Sequence, residues 1–391
     1  MAGTPGRADS SARRAGAATI AVPRAEGHVT RADLLYIWAM ESSAAQARLA
    51  SGPAVSAATD ADASPALPAI PLVDASGEAS PPLALMQALP ESLDLLVTRA
   101  EARYGRLPIA VAERISRRWL ARNMTPYVDE IAAIAECVGR PGGHFLNASF
   151  EWACSCGVAP DPDGPGMRLM RVLDWPLEGL GRALVAARQS GPAGPFLNLT
   201  WPGFAGTVTA LAEGRFCAAL NQAPMHRHGL GCWGDWAVNR LHVWRSREVP
   251  PMHLLRQVFE HCTSYADARH ALTHTPIAIP AIILLAGVRE GEGCVIERTA
   301  HRAWVHEAPR AVTNHWLTPD LAGRDRGTRS MLRWEAMRRV FEAPQQGLEW
   351  LAEPMLNRKT RLACVMNAAT GRLIAQGFEQ DGPATSVLRL N

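Results

Sequence analysis

Residues 154–175, CSCGVAPDPDGPGMRLMRVLDW, constrain the fold more than any other stretch of this chain. Two apolar runs flank Asp161-Pro162-Asp163-Gly164-Pro165-Gly166, a concentrated turn sequence. The prolines and glycines prevent either run from continuing through it, so the two runs must fold back on each other as a hairpin. With the turn centred near Asp163, Cys154 is expected opposite Val172. Arg171 and Asp174 then fall beside Cys154, directly across the ladder or one step diagonal to it. A thiol, a guanidinium and a carboxylate would meet at one strand end.

The rest of the chain divides around that hairpin. Residues 1–82 read as a disordered or low-complexity tail, small and polar, with one helix expected over 31–50 and an Ala/Ser/Pro/Asp-rich linker over 51–82. Residues 83–153 show apolar positions at helical spacing and stop at Gly139-Arg140-Pro141-Gly142-Gly143. Residues 154–391 alternate short strand-like runs with helical ones. These include helices around 250–262 and 264–275, the second capped by Ser264, and later ones at 329–343 and 346–353. A closing hairpin is expected around Ala369-Thr370-Gly371. Consecutive hairpins with interspersed helices indicate an α+β fold of antiparallel sheets covered by helices.

Composition removes several function classes. Lys and Arg total 40 against 37 Asp and Glu, and no basic run carries interleaved aromatics, so nucleic acid is not an expected partner. The longest apolar run, residues 277–288, is too short to cross a bilayer and is broken by Pro280. Residues 1–27 lack a secretory apolar core, which points to a cytoplasmic chain. Eight scattered cysteines in 391 residues argue for reduced thiols rather than a disulfide framework.

The hairpin's residues admit three chemistries. Cys154 can be a nucleophile once a base takes its proton. No histidine lies near it in sequence, so the base is either a histidine from elsewhere or an α-amine, created if the Ala153–Cys154 bond is cut. Alternatively, Cys154-Ser155-Cys156 with His226, His228 and Cys232 has the residue types of a zinc site, at loose spacing. The third reading is a non-catalytic ligand-binding protein.

A set of collinear motifs favours the first. LNASFEWACSCGVA, RVLDW, GFAGTVTALAEGRFCAALNQ, GEGCVIER, VTNHW with RDRGTRS, and PMLNRKTRLACVMNAATG follow one another between about residues 115 and 378. Together they resemble the acid ceramidase and N-acylethanolamine acid amidase family, relatives of the choloylglycine hydrolases among the N-terminal-nucleophile hydrolases. The resemblance implies a four-layer αββα sandwich and self-cleavage before Cys154. It implies a helical α chain ending at 153 and a catalytic β chain over 154–391, which stay associated. It also implies hydrolysis of a linear amide in an N-acyl amine, ceramide-like lipid or acyl amino acid, through an acyl-thioester on Cys154. An acyltransferase using the same acyl-enzyme is the alternative.

By the same resemblance, Arg171 and Asp174 orient the nucleophile, Asn314 serves the oxyanion hole, and Arg326 supports the site. Asn221, Gln222 and Trp201 are expected to contact substrate, and no cofactor or metal is needed. Gln222 departs from the glutamate usual in the ceramidase branch, keeping a hydrogen-bonding group without its charge.

Overall fold

The computed structural model describes residues 66–149 and 152–391; the helix expected over 31–50 lies outside them. Strand β1, Leu72–Asp74, is followed by five helices: α1 (Pro81–Ala88), α2 (Pro90–Tyr104), α3 (Arg106–Leu120), α4 (Val128–Val138) and α5 (Gly143–Ala148). Ordered chain therefore begins well before residue 83. Proline density misled the sequence reading here. Pro81 and Pro82 open α1, where a missing N–H costs nothing, and Leu72–Asp74 pairs in parallel with a strand more than a hundred residues later.

The strands form two sheets. The first runs in the order β1, β4 (Val185–Gly191), β5 (Gly194–Thr200), β6 (Thr209–Ala212), β7 (Phe216–Gln222), β8 (Ala281–Gly287), β9 (Gly293–Arg298), β10 (Ala303–Glu307). The second runs β11 (Arg310–Val312), β2 (Ala153–Pro160), β3 (Met167–Asp174), β12 (Thr360–Asn367), β13 (Arg372–Glu379), β14 (Gly382–Pro383), with β15 (Leu388–Leu390) also on β13. Strands β2, β3 and β12 pack on β7 and β8, face to face. Helices α7 (Pro251–His261) and α8 (Tyr265–His274) cover the first sheet, and α9 (Ser330–Glu342) covers the second. The four layers are the αββα sandwich expected from the sequence.

The hairpin of β2 and β3 forms as its turn residues require. Gly166 has φ +79°, and its carbonyl accepts the Asp161 N–H at 3.1 Å. The register differs from the expected one by a single residue, with Cys154 opposite Leu173 and Cys156 opposite Arg171. Ser264 caps α8, accepting the Asp267 N–H at 3.1 Å, and the closing hairpin pairs Asn367 with Arg372, both as expected.

Two helical readings fail. Residues 346–353 are turns and bends rather than helix. Conversely, helix α6, Gly231–Arg245, was not among the expected elements, its onset disguised by Gly231 and Gly234. Asp235 holds that onset by accepting the backbone N–H groups of His228 and Leu230.

Helices α4 and α7 meet in a buried polar cluster. Arg256 bonds Glu130 and Glu260 and lies 4.0 Å over the Tyr127 ring, while Tyr127 donates to Glu260 at 2.6 Å. Beside it, His253 is fully buried with Nδ1 3.0 Å from Thr125 Oγ1. Burial, then the Arg256 charge, push the His253 pKa from 6.5 to about 3. The unfolded chain therefore takes up this proton first. The stability it represents is intact above pH 6.5 and is lost as pH falls toward 3. At pH 5 the loss from this one group is about 2 kcal/mol. Denaturant melts between pH 7 and 5 should show His253→Gln losing less stability on acidification than the wild type; parallel curves would refute this.

Candidate active site

Cys154 sits at the second position of β2, fully buried between the sheets. Three side chains from three other elements grip that single residue. Arg171 on β3 places Nη2 3.2 Å from the Cys154 Sγ. Asn314, just after β11, accepts the Cys154 backbone N–H on Oδ1 at 2.8 Å. Arg333 in the first turn of α9 donates Nη1 to the Cys154 carbonyl at 2.5 Å and to Ser155 Oγ at 3.0 Å.

The pleat decides what each contact can do. Cys154, Cys156, Arg171 and Leu173 share the inner face of the second sheet, because residues opposite in register point the same way. Arg171 therefore reaches across to the first sheet, donating to Val208 O and, at 2.8 Å, to Leu220 O. Asp174 is opposite Ala153 and lies on the other face, toward α9. Its carboxylate accepts from Asn357 Nδ2 and Thr360 Oγ1, both at 2.9 Å. The expected meeting of Arg171 and Asp174 beside one thiol is thus corrected. Arg171 attends the sulfur, whereas Asp174 stands beside the residue on the far side of the Ala153–Cys154 bond.

Burial pushes the Cys154 thiol up, opposed first by Arg171; Asp174 raises it further. Burial also lifts the Asp174 carboxyl above its usual range, against the pull of Arg333 and its two hydrogen bonds. Uncut, this thiol is protonated at neutral pH and needs a base.

Asn314 is fixed in orientation by its partners. Its Oδ1 accepts from Cys154 N and from Arg333 Nη2 at 3.1 Å, and its Nδ2 donates to Gln222 O at 2.8 Å. Ser330 Oγ accepts the Asn314 backbone N–H. Arg326 donates its own N–H to Asn314 O at 3.1 Å and accepts on its carbonyl from Arg333. Gly327 lets this loop pass; φ is +71°, and a Cβ there would come within 2.6 Å of Ala153 Cβ.

No known protein-family model matches the chain. Mouse acid ceramidase is 32% identical over 194 residues, covering 44% of this chain and 47% of that one. Human acid ceramidase is 34% identical over 104 residues, 26% of this chain and 25% of the human one. Over these segments the chain is similar to the acid ceramidases. It spans about half the length, or less, of these curated relatives. Among solved structures, the Caenorhabditis elegans ortholog of N-acylethanolamine-hydrolyzing acid amidase is 19% identical over 61% of this chain and 100% of that one, with a TM-score of 0.45. A mutant conjugated bile acid hydrolase from Clostridium perfringens is 8% identical over 61% and 96%, with a TM-score of 0.36.

The remaining expected residues divide. Asn221 is buried against Cys156, whose Sγ donates to Asn221 Oδ1 at 3.0 Å. Gln222 is 6% exposed, and its Nε2 has no hydrogen-bond partner. Trp201 is corrected from substrate contact to core. It is 1% exposed, its Nε1 donates to Leu180 O, and it packs edge-on against Trp175 and Phe204.

The zinc grouping is not assembled. Cys154 and Cys156 face the interior, His226 is exposed beyond β7, and no metal-ready group of three His, Cys, Asp or Glu exists among the described residues. No helix among them is long and apolar enough to cross a membrane.

Sequence reasoning missed Arg333. The signal was available: Arg333 shares the buried face of α9 with Met337 and Val340, an arginine at apolar spacing.

Proposed function

We propose that this chain is an N-terminal cysteine amidohydrolase that cuts its own Ala153–Cys154 bond and then hydrolyses linear amides of N-acyl compounds. The supporting observation is the grip on Cys154, with Arg171 at its sulfur, Asn314 at its nitrogen and Arg333 at its carbonyl. In the first reaction the sulfur attacks the Ala153 carbonyl carbon and the peptide C–N bond breaks. The thiol proton ends on the Cys154 nitrogen, and water then releases the Ala153 thioester as a carboxylate. The products are chains 1–153 and 154–391.

The freed α-amine has an ordinary pKa near 8 and sits on the catalytic residue itself. In each turnover it takes the thiol proton as the sulfur attacks the substrate carbonyl, and passes it to the leaving amine. Water hydrolyses the acyl-thioester to a carboxylic acid. Asn314 Oδ1, already an acceptor for this nitrogen, orients the amine. In the uncut chain Asn314 Nδ2 is engaged with Gln222 O, so it serves an oxyanion only after releasing that carbonyl.

The apolar lining of a surface groove is in keeping with an acyl substrate. Leu93, Leu96, Ile109, Phe145, Trp175 and Leu177 line it, and Trp175 directly follows Asp174. The two chains would stay together through the Arg256–Glu130 pair and through Asn147, which bonds both Gly203 O and the Ala205 N–H.

Intact mass and an amide panel test the reading. Purified protein should separate under denaturation into pieces meeting at Ala153 and Cys154, and should release acid and amine in equal amounts from an N-acyl amine. A stable uncut chain that leaves every amide intact would refute it. Acyl transfer to an added amine in place of hydrolysis would move it to the acyltransferase reading.

A further inference from the structure

Ser330 touches three consecutive residues at once. Its Oγ accepts the Asn314 backbone N–H at 3.2 Å and lies 2.8 Å from Thr313 Oγ1 and 3.0 Å from His315 Nδ1. Thr313 Oγ1 also donates to the Ser330 carbonyl at 3.0 Å. All four residues are buried. The His315 ring is fixed in turn, edge-on to Trp334, whose Nε1 donates to Ala311 O at 3.1 Å. The segment after β11 and the start of α9 are therefore fastened together by side chains, with the Ser330 hydroxyl at the centre.

The place of that hydroxyl in the chain matters. Ser330 is the first residue of α9, and one turn later Arg333 reaches both the Cys154 carbonyl and Asn314 Oδ1. Asn314 and Arg333 are two of the three side chains that hold Cys154, and Ser330 ties one to the helix that carries the other. The helix start needs such a tie. Arg329 enters it at φ +53°, a left-handed conformation that arginine seldom adopts, and its side chain forms no cap. Asn314 also has two tasks in the proposed mechanism. Its Oδ1 orients the amine, and its Nδ2 must leave Gln222 O to meet an oxyanion. The amide can turn in that way without shifting the loop only if its own backbone is held.

We propose that Ser330 is a positioning residue of this site, its hydroxyl holding the Asn314 backbone to the start of α9 while the Asn314 amide turns. It acts through Asn314 rather than on the sulfur. Thr313 and His315 keep the hydroxyl aimed at the Asn314 N–H, as a supporting shell must if the groups around a reacting atom are to stay in place. The effect on rate rests on the amidase reading; the effect on geometry does not.

Hydrogen–deuterium exchange in the uncut Cys154→Ala chain tests the geometry without any enzymatic readout. The residue-154 N–H, held by Asn314 Oδ1, should exchange about tenfold faster once Ser330→Ala is added, the weight of one such hydrogen bond. Amides of the β12–β13 ladder should exchange as before, whereas a merely structural role would speed both sets. His315→Asn keeps a polar atom where Nδ1 lies and should preserve the slow exchange; His315→Leu should lose it. With Cys154 in place, Ser330→Ala should lower kcat on an N-acyl amine about tenfold at an unchanged KM. A residue-154 amide unmoved by Ser330→Ala, ladder amides sped up equally, or a raised KM at constant kcat would overturn the proposal. A wild type that hydrolyses no amide would sink the amidase reading and leave the exchange result to decide this one.

Discussion

Cys154→Ala is expected to run as one uncut chain and to lose amide hydrolysis by a factor on the order of 10⁴ or more. Both effects share one cause. In the proposed mechanism the same sulfur would attack the Ala153 carbonyl in maturation and the substrate carbonyl in turnover, so one deletion would stop both. The fold should survive. The position is fully buried but the side chain is small, and Arg171 keeps its two carbonyl partners on the first sheet. A loss below about 2 kcal/mol follows from removing one buried sulfur. Denaturing mass analysis and a melting curve together check this. Pieces still meeting at Ala153 and Cys154 in the variant would mean that another group makes the cut.

Arg171→Met should damage stability and chemistry at once. Its guanidinium is buried and bonds Val208 O and Leu220 O on one sheet and the Cys154 sulfur on the other. Methionine fills similar space but takes a donor from each of two buried carbonyls, Leu220 O and Val208 O, the second keeping only the Leu220 N–H; the Leu220 carbonyl alone costs about 1–3 kcal/mol. It also removes the main influence holding the thiol down against burial. Without that charge the Cys154 pKa rises further. At a fixed pH there is less thiolate, and the rate profile shifts to the alkaline side. Denaturant melts and iodoacetamide alkylation followed across pH separate the two effects. Arg171→Lys retains the charge, yet one ammonium has difficulty spanning acceptors on two sheets. An alkylation profile unmoved by Arg171→Met would show that the guanidinium does not govern the sulfur.

Much of this was legible in the sequence, and the exceptions have physical causes. The hairpin of β2 and β3 was readable because turn residues act locally. Its register slipped by one because a six-residue loop does not fix the pairing as a two-residue turn would. That slip matters, since one residue reverses a side chain's face, and it placed Asp174 with the thiol instead of opposite Ala153 on the other face. Asn314 was named from motif resemblance and Arg171 from the hairpin as well as the resemblance, and the fold brings both to Cys154. Trp201 was misplaced because a tryptophan suits a core and a pocket wall equally well, and only packing distinguishes them. Strand β1 was hidden in proline-rich sequence because its partner is far away in the chain.

That short strand carries a consequence for how the molecule tolerates division. Leu72–Asp74 lies along the outer side of β4, capping the rim of the first sheet. The polypeptide from Cys154 onward, taken alone, would present a bare row of amides and carbonyls along Val185–Arg188, a template on which other copies can stack. If the chain is cut where its cysteine suggests, the amino-terminal piece is no discarded leader. It would stay as a guard along β4, keeping each carboxy-terminal piece from adhering to the next.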